Sequence, residues 1–122
     1  MAANDFSMDN WTTQLRKGLL ELCMVNLLAD EEIYGYDLVK RLSSISGLMV
    51  SEGTVYPLLS RMRKSGMVES RLVESESGPA RRYYVLSEQG KASLRLMNEY
   101  WGNLIQGLNE IVGESKDANV DR

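Results

Sequence analysis

The sequence predicts a mainly α domain that carries one small β-hairpin and closes on a long helix. Three observations predict it. Apolar residues recur at helical spacing in four separate stretches. Two Val- and Tyr-rich runs flank a Gly-Pro turn between the third and fourth stretches. The last stretch, Leu94, Met97, Trp101, Leu104, Leu108 and Ile111, keeps an alternating three- and four-residue spacing over more than two heptads. At 122 residues the chain fits one domain with an appendage.

The first helix runs from Trp11 to Leu28, with Asp9 or Asn10 as its cap. Leu15, Leu19, Leu22 and Cys23 make one apolar face, and Leu20, Met24, Leu27 and Leu28 make a second. A helix apolar over so much of its girth is buried on several sides, which in a short chain points to a partner subunit. Asp30-Glu31-Glu32 is a polar turn. A second helix opens at Tyr34-Gly35-Tyr36 and runs from Gly35 to Ser46, burying Leu38, Leu42 and Ile45, with Gly47 as C′ residue.

The third helix spans Ser51 to Gly66 and buries Val55, Leu58, Leu59 and Met62. If Thr54 is its cap, Pro57 lies in the first turn and costs little. If Ser51 is, Pro57 removes an internal hydrogen bond and bends the helix. Either way the expectation is a mild distortion without a break. Strands follow at Val68–Glu74 and Arg81–Leu86, joined by the turn-rich loop Ser75–Ala80. Ser87-Glu88 caps the last helix, which runs to about Val112. Three helices and a hairpin do not need so long a seam, so packing against a second copy is expected through Leu94, Met97, Trp101, Leu104, Leu108 and Ile111. Burying one Leu side chain is worth roughly 1.5–3 kcal/mol, so a monomer would tolerate such a seam poorly.

Helix, helix, helix, hairpin is the order of a winged helix-turn-helix, whose third helix enters the major groove and whose hairpin touches the flanking backbone or minor groove. The chain then divides into a flexible N-terminal segment 1–10, a winged helix-turn-helix DNA-binding domain 11–90, a dimerisation helix 91–112 and a flexible tail 113–122.

Composition narrows the chemistry. With no histidine there is no Ser-His-Asp triad, and with Cys23 alone there is no disulfide within the chain and no Cys₄ zinc site. Cys23, in an apolar helical run without basic neighbours, reads as buried filler. No phosphate-binding Gly-rich loop or Ser nucleophile motif occurs, so no enzyme, cofactor or metal is expected. No apolar stretch is long enough to span a membrane, and the first residues carry no secretory signal, so the expected compartment is the cytoplasm.

The formal net charge of −3 hides an uneven distribution. Residues 51–95 carry eight basic and five acidic side chains, whereas both flanks are acidic. The third helix presents hydroxyls at its N-terminal end and Arg and Lys at the other, the arrangement of a nucleic-acid reader. Candidate DNA contacts are Tyr36, Ser51, Thr54, Tyr56, Pro57, Ser60, Arg61 and Lys64, with Arg81 and Arg82 on the wing. Trp101 and Trp11 are large aromatics whose ordinary role is dimer core. Their alternative, with Leu15, is a surface that sandwiches a planar small molecule.

Four stretches also carry a family resemblance: Gln14-Leu15-Arg16-Lys17-Gly18, Tyr34-Gly35-Tyr36, Ser51-Glu52-Gly53-Thr54-Val55-Tyr56-Pro57-Leu58-Leu59, and Gly78-Pro79-Ala80-Arg81-Arg82-Tyr83-Tyr84-Val85-Leu86-Ser87-Glu88-Gln89-Gly90. From Gln14 to Val112 the chain resembles the PadR family of bacterial transcriptional regulators, in its short form with one C-terminal helix. The resemblance implies a homodimer, joined by the first and last helices, that binds double-stranded DNA, usually as a repressor. Some short members bind flat drugs between paired tryptophans of the last helix, and Trp101 falls at that position. Two functions of different class fit. One is a repressor that binds an inverted-repeat operator and is released by a planar small-molecule inducer. The other, favoured by the acidic total charge, is a dimeric protein-interaction module of the same fold without DNA binding.

Overall fold

The computed structural model describes the backbone of residues 6–120 and the side chains as far as Glu114. Helix α1 spans Met8–Leu27, and Ser7 caps it, its hydroxyl accepting the Asn10 N–H at 3.2 Å. The helix therefore starts earlier than Trp11, and Asp9 sits inside the first turn, where a carboxylate suits the helix dipole. Of the expected flexible segment 1–10, residues 1–5 lie outside the described residues.

A short strand β1, Ile33–Tyr34, leads directly into α2, Gly35–Ser43. Helix α2 ends earlier than Ser46. The Ser44 and Ile45 amides bond three residues back, to Arg41 and Leu42, and Gly47 turns the chain with φ +85°. Ile45 consequently leaves the expected stripe and is exposed, while Val39 joins Leu38 and Leu42 in the core and Leu48 is buried from the loop.

Helix α3 is Glu52–Lys64, with Ser51 at its N-cap. The Ser51 carbonyl accepts the Thr54 and Val55 amides, so the Ser51 alternative holds and Pro57 lies inside the helix. The helix continues through it. Val55, Leu59 and Met62 are buried and Leu58 half-buried. Gly66, at φ +86°, closes the far end: its own N–H bonds to Arg63 and the Met67 N–H to Met62.

Strands β2, Val68–Val73, and β3, Arg81–Leu86, form the hairpin. The sheet has three strands in the order β1-β3-β2, all antiparallel, with Ile33 opposite Tyr84 and Val68 opposite Leu86. The Leu86 N–H reaches the Leu28 carbonyl, which ties β3 to the end of α1. Helix α4 starts at Glu88 and runs to Val120, beyond the expected end at Val112. Gly113 does not stop it, since an isolated Gly inside a helix costs only about 1 kcal/mol. Most of the tail 113–122 is therefore helical, and Asp121 and Arg122 lie outside the described residues.

One core joins all these elements. Leu20, Met24 and Leu28 of the α1 region meet Leu38 and Leu42 of α2, Val55 and Leu59 of α3, Val68 and Leu86 of the sheet, and Leu94 of α4. Leu94 is thus packed within its own chain and is not free to serve a partner, unlike the rest of the expected seam. Because Leu59 has no solvent exposure, Leu59→Ala is expected to destabilise the fold by about 2–5 kcal/mol, measured by urea unfolding.

Candidate nucleic-acid interface

With Val55, Leu59 and Met62 inward, the opposite face of α3 is committed to solvent. Ser51, Thr54, Tyr56, Pro57, Arg61, Arg63 and Lys64 are exposed there, and Ser60 is half-buried. The Ser51 and Thr54 hydroxyls lie 3.2 Å apart at the N-terminal end. Arg61 is already engaged, its Nη2 bonding to the Glu21 carboxylate of α1 at 3.1 Å. Arg63 and Lys64 make no ion pair among the described residues.

Tyr56 owes its seat to Gly35. A Cβ at Gly35 would stand 3.0 Å from Tyr56 Cε1 and 3.2 Å from Tyr84 Cε1, so only glycine lets both rings close over the start of α2 without displacement. Burial first, then the Glu52 carboxylate, pushes the Tyr56 phenol above its ordinary pKa, so it stays a neutral hydrogen-bonding group.

From there an aromatic chain reaches the wing. The Tyr34 ring lies 6.2 Å from Tyr36 and 5.7 Å from Tyr83. Lys40 Nζ sits 5.6 Å from the Tyr36 ring, and Arg81 Cζ 5.0 Å from the Tyr34 ring. Arg82 is half-buried, its Nη1 donating to Ser70 Oγ at 2.9 Å, so of the two wing arginines Arg81 is the more exposed. The wing is also pinned by charge. Arg71 on β2 makes two bonds, 2.7 and 2.6 Å, to the Glu32 carboxylate just before β1.

The structure places two further cations, absent from the candidates read from the sequence, beside this face. Arg16 and Lys17 of α1 line a small cleft with Met49 and Thr54, beside the N-terminal end of α3. Arg16 Nη2 donates to Thr13 Oγ1 at 3.2 Å, and no acid neutralises it among the described residues. Met49 is strongly exposed and holds φ +50°, an uncommon backbone for a non-glycine residue. The available signal was that Arg16 and Lys17 are adjacent and are the only basic residues of α1.

The proposed ligand residues divide. Trp101 and Leu15 line two cavities, of about 730 and 580 Å³, on either side of the α1–α4 contact. Trp11 lines neither and is half exposed, so one chain does not bring it to Trp101. The larger cavity extends to Ile45–Leu48, the turn before α3, and the Asn26 and Asn98 amides pair across it at 2.9 and 3.1 Å. Cys23 lines it too, and burial raises its thiol pKa, which keeps it protonated. Of the seam, Met97 and Trp101 are half-buried, while Leu104, Leu108 and Ile111 are at least half exposed. Leu96, Tyr100 and Val112 widen the apolar surface beyond that seam.

Comparison with known proteins decides the identity of this arrangement. The profile of the transcriptional regulator PadR-like family matches residues 24–96, from the core of α1 through the wing into α4. The chain belongs to the PadR-like family. A PadR-like transcription factor of Bacteroides fragilis is 38% identical, with a TM-score of 0.70 over 84% of this chain and 98% of that one. A PadR-like regulator of Bacillus cereus is 37% identical, with a TM-score of 0.74 over 81% and 96%. A transcriptional regulator of Mycobacterium tuberculosis is 31% identical over 106 residues, 82% of this chain and 95% of its own. The winged-helix architecture expected from the sequence is that of these structures. This PadR-like chain is a DNA-binding transcriptional regulator and not an enzyme. Among the described residues no helix is long and apolar enough to cross a membrane.

The Glu32–Arg71 pair gives this PadR-like wing a pH signature. The Arg71 hydrogen bond lowers the Glu32 pKa below its ordinary value. A depressed folded-state pKa contributes stability that is present above the unfolded value and lost as pH falls through the folded one. Wild type is therefore expected to melt above Glu32→Gln at neutral pH, the gap closing as pH falls below the ordinary glutamate range. Paired thermal melts across that range check it.

Proposed function

We propose that this regulator is a repressor that acts in the cytoplasm as a homodimer on an inverted-repeat operator and is released by a planar apolar small molecule. The observation that carries the reading is that one chain presents both a polar and basic face on α3 and a long uncovered apolar face on α4, around Leu104, Leu108 and Ile111. Pairing the apolar faces of two chains covers them and sets two α3 helices side by side. Two-fold symmetry then demands half-sites whose centres lie about 34 Å apart.

In this reading Thr54 and Tyr56, with Ser51, Pro57, Ser60 and Tyr36 around them, face the bases. Lys64, Arg81 and Arg82 hold phosphates or the minor groove. Arg61 joins them only by exchanging Glu21 for a phosphate. Arg16 and Lys17, beside the start of α3, supply a phosphate contact from α1. Footprinting on the promoter of the protein's own gene is expected to protect two symmetric half-sites; one asymmetric half-site counts against the reading. Arg81→Ala/Arg82→Ala is expected to weaken all sequences alike and to flatten the salt dependence by up to about one logarithmic unit per lost phosphate contact. The net charge of −3 favours the alternative, a dimeric interaction module. That alternative requires a wild-type salt slope near zero.

The effector reading rests on the cavities beside Trp101 and Leu15. A planar ligand wedged there alters the angle between subunits and so the separation of the two α3 helices. To lower the DNA-bound population tenfold it must prefer the free dimer by about 1.4 kcal/mol. Titration with planar compounds is expected to quench tryptophan fluorescence and release DNA. Trp101→Ala is expected to abolish release at the same concentration. Release that survives the substitution locates the pocket elsewhere.

A further inference from the structure

The turn that closes α3 and the first turn of α4 are bonded directly to each other. Ser87 opens α4, its carbonyl accepting the Lys91 N–H at 2.9 Å and its hydroxyl oxygen accepting the Gly90 N–H at 3.0 Å. That hydroxyl also reaches back to the carbonyls of Gly66 and Met67, at 2.5 and 3.0 Å. The Ser87 N–H donates to the same Met67 carbonyl at 2.9 Å. Gly66 and Met67 are the two residues that terminate α3, through their own amides to Arg63 and Met62.

Gly90 makes the fit close. A Cβ there would overlap the Met67 carbonyl oxygen and stand 2.8 Å from Leu86 Cγ. Ser87 is buried, and among the described residues no buried polar side-chain atom lacks a partner. This junction is more than a cap. An ordinary N-cap serves its own helix only, whereas here one hydroxyl serves the first turn of one helix and the turn that follows another.

We propose that Ser87 and Gly90 are positioning residues that lock the axis of α3 to the axis of α4, so that the spacing of the two α3 helices in the dimer is set at this joint. The proposal rests on the homodimer reading above. Rotation of α4 alone about its first turn would break the bonds to Gly66 and Met67 together, so with the joint intact the turn that closes α3 follows a change of α4 angle. A structural cap alone does not carry this consequence, because it stabilises the fold without selecting an operator spacing.

The test uses the full chain and the DNA duplex that wild type recovers from a randomised pool. Wild type is expected to bind that duplex about tenfold tighter than one whose spacer is lengthened by about two base pairs. Ser87→Ala is expected to keep the dimer mass by light scattering and its affinity for a single half-site, and to bring the two duplexes within about threefold of each other. Ser87→Thr, which retains the hydroxyl, is expected to restore the preference. Hydrogen exchange on wild type tests the joint without any substitution. The Gly90 amide is expected to exchange as slowly as that of Leu59, and exchange orders of magnitude faster overturns the proposal. A Ser87→Ala protein that keeps the wild-type preference, or binds both duplexes more weakly by one factor, also overturns it and leaves the dimer reading intact. A wild-type monomer, or recovery of a lone half-site, overturns the dimer reading and the proposal with it.

Discussion

Everything that faces outward on α3 depends on what that helix turns inward. Val55 and Leu59 have no solvent exposure and Met62 almost none, and they belong to one core with side chains from every other element of the domain. Burial of such side chains is worth roughly 1.5–3 kcal/mol each, far more than any polar contact on the opposite face. The helix therefore cannot roll. A roll that hid Thr54 or Tyr56 would have to lift Leu59 out of a close-packed interior, where even a missing methylene is felt. The exposed face of α3 is rigid because its reverse side is core.

This constraint was also the most legible part of the sequence, because one buried stripe at helical spacing fixes which residues remain for solvent. The Ser51 and Gly66 boundaries were legible for a related reason: capping residues are chosen by backbone geometry that little else tolerates. The short strand β1 was not legible. Two residues hold no periodicity, and Ile33–Tyr34 is a strand only because it meets Tyr83 and Tyr84 on β3, a long-range pairing. The early end of α2 was hidden by Ile45, whose spacing continues the stripe although the chain has already tightened into a turn. The end of α4 misled in the opposite sense: the polar, acidic stretch after Val112 reads as a tail, yet the helix continues to Val120. Within the site, Arg16 and Lys17 escaped because proximity to α3 is set by how α1 crosses the domain, which no local pattern encodes.

Charge counting was a coarser guide than the structure provides. The basic middle segment includes Arg61 and Arg71, and both are bonded to acids, Glu21 and Glu32. In each pair the arginine is exposed and the acid half-buried, so the contribution to stability is modest. Their effect is positional: Glu32 holds the wing through Arg71, and Glu21 holds Arg61 against α1. The cations without such partners are distributed around α3, with Arg16 and Lys17 at one end, Arg63 and Lys64 at the other and Arg81 on the wing. A formal charge of −3 is thus compatible with unpaired cations gathered around one helix, since exposed charges farther apart than about 8 Å are largely screened from one another at physiological ionic strength.

The apolar seam of α4 belongs to two environments along its length. Leu94 lies in the core of its own domain, Met97 and Trp101 stand at the edge, and Leu104, Leu108 and Ile111 lie exposed beyond it. One continuous helix therefore passes from the interior of the DNA-reading body to a surface without cover in the single chain. An α-helix is stiff on this scale, so motion at one end is carried to the other unless a joint yields. Both cavities at Trp101 sit where that helix leaves the domain, and the Ser87 junction sits where it begins. On the effector reading proposed above, a ligand between them would meet a lever whose short arm is bonded to the turn that closes α3. The rigidity that holds the exposed face of α3 in place is what that reading requires for a small displacement near Trp101 to matter at the DNA.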